Sequence, residues 1–284
     1  MKSYIICAVP RSGSWLLADL LEQTELAGRP DEYFRPDYRV QWAVDWDIAP
    51  TGPYGRFVRA ALDRTSTANG VFGVKMHWYQ FEWLAKQLRE IPGASPDAPA
   101  DVLVRRWLPD VRYIHLHRDD TVRQAISYYR ASYSDRWFHL TGEETGEAET
   151  RYIRPVPLPE QPNWGHVKFL ENLVIEHDRQ WSDFFASTGI EPLEVRYEDM
   201  NSDLEGTVRR VLAFLEIPAP AEMTFPPPRL KKQADEETER LAEEYRAVRD
   251  TVVPESVNMF AVRRTILPQA FNGSPSSPAG QVTS

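Results

Sequence analysis

The chain has 284 residues, a net charge of −9, 42% apolar and 12% aromatic residues, and one cysteine. That size and apolar content suffice for one large α/β domain or two small ones, while the acidic balance excludes a general nucleic-acid binder and confines any anion site to a local basic patch. A lone Cys7 excludes an internal disulfide. Met1-Lys2 leads straight into a strand pattern without a secretory leader, and no apolar run nears the ~20 residues of a membrane helix, so a cytoplasmic protein without stable membrane insertion is expected.

Tyr4 to Val9 is an apolar, β-branched-rich run of strand length. Pro10-Arg11-Ser12-Gly13-Ser14 is a tight polar turn, and Trp15, Leu16, Leu17, Leu20 and Leu21 then recur at helical spacing. Strand, short loop and helix start form a phosphate-sized cradle: free N–H groups and a positive dipole end suit an anion. Gly13 permits close backbone approach, Ser12 and Ser14 supply hydroxyls, and Arg11 supplies fixed charge. The loop departs from a Walker loop, because no lysine follows Gly13 and Trp15 stands near the place of the metal-binding hydroxyl. An ordinary strand–helix turn is the competing interpretation.

Gly28 to Pro36 is a loop carrying Asp31 and Glu32. Glu32 is a general-base candidate, although its spacing alone favours a solvated loop charge. Trp42 and Trp46 suit one face of a helix within Tyr38 to Ile48, and Gly55 to Leu62 reads as a short helix. Gly70 to Trp78 reads as a second buried strand, in which Lys75 needs an anionic partner. His77 and Trp78 follow at the strand end, where ligands collect in open α/β sheets; His77 is either a base or a satisfied structural histidine. A helix over Phe81 to Glu90 and a Pro/Ala/Gly linker over Ile91 to Ala100 come next.

Val102 to Leu108 reads as a helix, and Asp110 to Asp120 as a third strand ending in Arg118. Asp119 or Asp120 caps a helix over Thr121 to Tyr133, which carries Ser127 two turns in. His115 and His117 share a strand face but lack a third ligand at suitable spacing, so no metal site is expected. Thr141 to Gln161, acidic then proline-rich, reads as a lid or loop. A long helix over Val167 to Ser187, a strand over Pro192 to Tyr197, a helix over Leu204 to Leu215 and a charged helix over Glu236 to Arg249 complete the ordered pattern. Lys231 and Lys232 are either a phosphate clamp or surface charge. Asn272 to Ser284 has the composition of a flexible tail.

Five ordered blocks carry a resemblance: Arg11-Ser12-Gly13-Ser14; Ala27 to Phe34; Gly73, Lys75, Trp78 and Gln80; His115, His117, Arg118, Asp120, Gln124, Ala125 and Ser127; and Lys232 to Asp235. Together they resemble the sulfotransferases that use 3′-phosphoadenosine 5′-phosphosulfate (PAPS), and within them the bacterial family of trehalose 2-sulfotransferase. The resemblance implies that Arg11, Ser12, Gly13 and Ser14 hold the 5′-phosphosulfate, that Arg118 and Ser127 hold the 3′-phosphate, and that Lys232 and Gln233 close the nucleotide site. It implies Glu32 as general base with Arg11 assisting. Arg29, Asp31, Tyr33, Lys75, His77 and Trp78 are the candidate acceptor contacts. Pro10, Trp15 and Arg29 depart from the trehalose enzyme, which leaves the acceptor open.

The expected fold is α/β and P-loop-NTPase-like, three layers with a central parallel sheet and helices on both faces. A sulfotransferase domain is expected over residues 1–250 and an extension over 251–284, flexible from about 272. The expected partner is a small-molecule or carbohydrate hydroxyl acceptor, no metal is required, and the family permits a homodimer. A nucleotide-dependent kinase with a degenerate loop and a non-catalytic nucleotide-binding protein are the alternatives.

Overall fold

A computed structural model describes residues 1–134, 137, 156–220, 222–230 and 235–258. The sequence expectations for Lys231, Lys232 and Gln233, for most of the 141–161 segment and for the 272–284 tail lie outside these residues.

Four parallel strands, β1 (Lys2–Ala8), β2 (Val71–His77), β3 (Val111–His117) and β4 (Leu193–Arg196), pair in the order β2-β1-β3-β4. The described helices are α1 (Ser14–Gln23), α2 (Arg39–Asp45), α3 (Tyr54–Thr65), α4 (Trp78–Arg89), α5 (Ala100–Trp107), α6 (Thr121–Ser134), α7 (Trp164–Thr188), α8 (Tyr197–Ser202), α9 (Leu204–Phe214) and α10 (Glu236–Val248). This is the expected α/β architecture, a parallel sheet with helices on both faces.

β1 lies inside the sheet, and a strand buried on both faces reads as a continuous apolar run. Ile5, Cys7 and Val9 face one core, built with Phe57 and Val58 of α3, Phe81 and Leu84 of α4, and Trp181 and Phe184 of α7. Tyr4, Ile6 and Ala8 face the other, with Leu17, Leu20 and Leu21 of α1 and Val208, Val211 and Leu212 of α9. Each fully buried Val, Leu, Ile or Phe among them contributes about 1.5–3 kcal/mol. A third cluster joins α6, α7 and α10 through Ile126, Tyr129, Leu170, Leu241 and Tyr245.

Register places the site. Ala8 pairs with His77 on one side and Leu116 on the other, so three parallel strands end abreast. The segments that follow, Pro10–Gly13, the start of α4, and Arg118, therefore open at one edge of the sheet.

Boundaries differ from expectation where caps act. α4 begins at Trp78 rather than Phe81, because Gln80 Oε1 accepts from the His77 backbone N–H at 3.0 Å and so caps the first turn. α7 begins at Trp164, where Asn163 Oδ1 accepts from the His166 N–H at 2.9 Å. α8 follows β4 directly and was not expected from sequence, since six residues hold too little periodicity. Among the described residues, no helix is long and apolar enough to cross a membrane.

Candidate active site

The β1–α1 loop is tightly wound. Arg11 adopts φ 65°, an uncommon conformation for a non-glycine residue, and Gly13 adopts φ 89° at the start of α1. A Cβ on Gly13 would lie 2.5 Å from Tyr197 Cδ2 and 3.0 Å from Met200 Cε, so only glycine fits between the loop and α8. Gly13 is the N-cap residue of α1 and has no side chain with which to cap it. A helix start leaves N–H groups without intrahelical acceptors, and Gly13, Ser14, Trp15 and Leu16 of this one line a cavity. Ser12 is fully buried outside that lining, and its Oγ has no partner among the described residues.

α6 is fastened to this loop. Gln124 Nε2 donates to the Pro10 carbonyl at 2.8 Å, and Arg11 Nε donates to Ser127 Oγ at 2.9 Å. Arg11 Nη1 also donates to the Trp137 carbonyl. Arg118 Nη1 donates to the Arg11 carbonyl at 3.4 Å, and its guanidinium lies 4.6 Å from the Tyr197 ring centroid. Burial pushes Arg118 down from its ordinary value, with Tyr197 and Asp120 opposing, and its Nε has no partner among the described residues. Asp120 starts α6 by accepting the Arg123 N–H on Oδ1 at 2.9 Å. Arg11, Gly13, Ser14, Arg118 and Ser127 all line one cavity of about 1350 Å³.

Glu32 lines the same cavity. Gly28, at φ 73°, allows its loop to run against β2: a Cβ there would stand 2.7 Å from Gly73 N. Asp31 then bridges to Val74, and its carbonyl accepts from the Lys75 N–H at 3.1 Å. This fixes Glu32 over β2. Its carboxylate is 4% exposed, which corrects the spacing-based preference for a solvated charge. Lys75 Nζ donates to Oε1, Gln80 Nε2 donates to Oε2 at 2.9 Å, Arg35 Nη1 lies 3.4 Å from Oε2, and His77 Nε2 lies 3.4 Å from Oε1. Burial pushes Glu32 up, but the Lys75 ammonium, with His77 and Arg35, outweighs it and holds the carboxyl well below the usual carboxylate range. Burial also lifts Asp31 to about 6.

Lys75 is fully buried and does not line the cavity; Glu32 is the anion its strand position called for. Its Nζ lies 3.7 Å from the Trp15 ring centroid, so Lys75 sits between Glu32 and the first turn of α1. His77 does line the cavity, and the Ala8 carbonyl 3.2 Å from its Nδ1 can only accept, so that contact is a hydrogen bond in the Nδ1–H tautomer. The same carbonyl accepts from Trp181 Nε1 at 3.2 Å.

The remaining acceptor candidates lie elsewhere. Arg29 is exposed and outside the cavity lining. Tyr33 donates to the Arg29 carbonyl and packs against Trp42 and Trp46, with ring centroids 5.1 and 5.6 Å away. Trp78 packs edge-on to Trp181 at 5.0 Å. Sequence reasoning gave no role to Arg35, Tyr38, Tyr79 or Tyr128, which surround the Glu32 end of the cavity. It quoted Gln80 without a role, although His77-x-x-Gln80 has the spacing of a capping box.

Among the described residues, no group of three or more His, Cys, Asp or Glu is arranged to hold a metal ion. His115 and His117 stack at 5.4 Å, but His115 Nε2 contacts Asp178 Oδ1 and its Nδ1 contacts Glu194 Oε2, each at 3.0 Å.

Residues 3–248 match the Stf0 sulphotransferase family model. The chain is 28% identical over 274 residues to a trehalose 2-sulfotransferase of Mycobacterium tuberculosis, covering 87% of this chain and 95% of that protein. It is 26% identical over 270 residues to a trehalose 2-sulfotransferase of Mycolicibacterium smegmatis, covering 86% and 94%. A solved sulfotransferase domain from the Synechococcus PCC 7002 olefin synthase is 14% identical, covers 93% of both chains and has a TM-score of 0.44. A sulfotransferase domain from the curacin biosynthetic pathway gives the same identity and TM-score over 95% of this chain and 97% of that one. With a family model spanning nearly all of the described fold, the chain belongs to the Stf0 sulphotransferase family.

Proposed function

We propose that the protein transfers a sulfuryl group from PAPS to a hydroxyl of a small-molecule or carbohydrate acceptor, with Glu32 as general base. The observation that carries this reading is the Arg11–Ser127 hydrogen bond, which draws the β1–α1 loop and α6 to one cavity with Arg118 and Glu32. The residues suit such a donor: a glycine with no room for a Cβ, a helix start that lines the cavity and a half-buried arginine whose Nε has no partner among the described residues. PAPS supplies a sulfuryl group on a phosphate leaving group, with a separate 3′-phosphate.

Arg11, Gly13 and Ser14 would hold the 5′ end, with Ser12 buried behind them as part of the loop, and Arg118 and Ser127 the 3′-phosphate. Lys232 and Gln233 keep the nucleotide-closing role carried over with the family motif. Arg11 and the α1 N-terminus favour negative charge on the departing phosphate. Glu32 accepts the acceptor hydroxyl's proton on a carboxylate oxygen. The positive charge comes from side chains and backbone N–H groups, so no metal is required. His77, Arg35 and the tyrosines beside Glu32 are the acceptor contacts this reading favours. A carbohydrate hydroxyl is the first acceptor to test, because the relatives are trehalose 2-sulfotransferases. We assign the catalytic domain to residues 1–250, with 251–284 as an extension.

The test is transfer of labelled sulfate from PAPS to a carbohydrate panel that includes trehalose. Glu32→Gln should retain nucleotide affinity and lose turnover by about 10²- to 10⁴-fold. Tight nucleotide binding without transfer to any acceptor would overturn the enzymatic reading.

A further inference from the structure

We propose that Gln80 is a positioning residue for Glu32. This rests on Glu32 being the base. Gln80 is fully buried and absent from the cavity lining, so it acts through its neighbour. Its amide has one available orientation. Oε1 accepts from the His77 backbone N–H at 3.0 Å, and a backbone N–H can only donate. Nε2 must therefore be the atom that faces Glu32 Oε2, at 2.9 Å, with the Tyr79 hydroxyl oxygen as its second acceptor at 3.1 Å.

The two carboxylate oxygens are thus addressed from different directions. Lys75 of β2 takes Oε1 and Gln80 of α4 takes Oε2. Two fixed donors set the plane of the carboxylate, which a single ion pair would leave free to swivel about its axis. The first turn of α4 is the ruler: its cap hydrogen bond and the carboxylate's orientation run through one side chain. The other groups acting on Glu32 are His77 on β2, Arg35 and Asp31 on its own loop, Tyr79 on α4 and Tyr128 on α6. Arg35 Nη1 also reaches Oε2, but at 3.4 Å against 2.9 Å for Gln80 and from a half-buried side chain on the loop rather than from the buried turn of α4.

Gln80→Glu tests this. The substitution keeps an oxygen to accept the His77 N–H, so the cap survives. It places a second carboxyl oxygen against Glu32 Oε2, where two carboxylates in contact hold one proton between them. The acid limb of the kcat–pH profile should then move up by about one pH unit or more. A profile that superimposes on the wild type, whatever its height, would reduce Gln80 to a helix cap and overturn the proposal. Gln80→Leu should lower kcat by about tenfold to a hundredfold with the donor KM unchanged.

A second measurement does not depend on turnover. The shared proton raises the folded-state pKa of the new carboxyl above its unfolded value. Stability of Gln80→Glu relative to wild type is therefore greatest below about pH 4 and falls as pH rises through the folded value. A Tm difference independent of pH between 4 and 8 would show that the two side chains do not couple, and would also overturn the proposal. Wild-type protein that binds nucleotide but transfers nothing would instead defeat the sulfotransferase reading, while this titration still decides whether Gln80 and Glu32 are linked.

Discussion

Arg11 Nε donates to Ser127 Oγ at 2.9 Å, so the loop after the first strand and the helix after the third share one hydrogen bond. Arg11 Nη1 donates in addition to the Trp137 carbonyl, so one guanidinium ties the loop to both Ser127 and Trp137. Arg130, at the same cavity, pairs with Asp235, with Nη2 2.9 Å from Oδ2.

Adenosine 3′,5′-bisphosphate should raise the Tm well beyond the shift given by AMP, since Arg118 and Ser127 are proposed to hold the extra phosphate. Arg118→Ala should weaken bisphosphate binding at least tenfold, as expected from losing about 1.5–3 kcal/mol of charged hydrogen bonding, and leave AMP affinity nearly unchanged. Calorimetric titration of both nucleotides checks this. Equal losses for the two would remove Arg118 from the 3′-phosphate.

The Glu32–Lys75 pair should be a strong stability coupling, because both side chains are buried, at 4% and 0% exposure. Removing either partner by Glu32→Leu or Lys75→Met should cost about 3–5 kcal/mol, since each leaves a buried charge behind. The double variant should lie closer to wild type than the sum of the single losses. Urea unfolding of all four proteins gives the coupling, and additive losses would show that the pair is not desolvated.

His115 should give the protein a pH-dependent margin on the alkaline side. Burial pushes its pKa down, but the hydrogen bonds it donates to the Asp178 and Glu194 carboxylates outweigh burial and lift it to about 9. A folded value above the unfolded one means that the contribution is complete below about pH 6.5 and fades as pH rises through 9. His115→Gln should therefore cost about 2–3 kcal/mol at pH 6 and clearly less at pH 10. Thermal melts across that range measure the difference, and a constant gap would discard the ion pair as its source.

Gly13→Ala should damage the loop twice over. A side chain at φ 89° is strained, and its Cβ meets the Tyr197 ring at 2.5 Å. Stability should fall by about 1–3 kcal/mol, and nucleotide affinity should fall with it, because α8 must retreat from the loop. Gly189→Ala is the control: its φ is 66°, but nothing lies within 4 Å of the added atom. It should lose stability alone.

Much of this was legible in the sequence because local rules and global fold agree. The run from Tyr4 to Val9 reads as buried because β1 is covered on both faces, and Lys75 reads as needing an anion because no water reaches its place in β2. Arg118 could be placed at a strand tip by pattern alone. Its meeting with Arg11 could not, since it depends on three strands ending level. Glu32 was the hardest residue to judge. Loop carboxylates are usually solvated, and its burial follows from the passage of Gly28 against β2, a long-range fact. Trp78 was misleading in another way: the ring that ends the strand pattern turns toward α7, while Gln80, two residues later, turns back to the site.

Cys7 lies at 0% exposure in the strand that has neighbours on both edges and cores on both faces, and it is the chain's single thiol. Burial also pushes that thiol's pKa up, which keeps it in the unreactive protonated form. An alkylating reagent can meet it only when the middle of the molecule comes apart. The chain thus carries its own stopwatch: the rate of thiol capture under native conditions counts whole-sheet openings, with no engineered label.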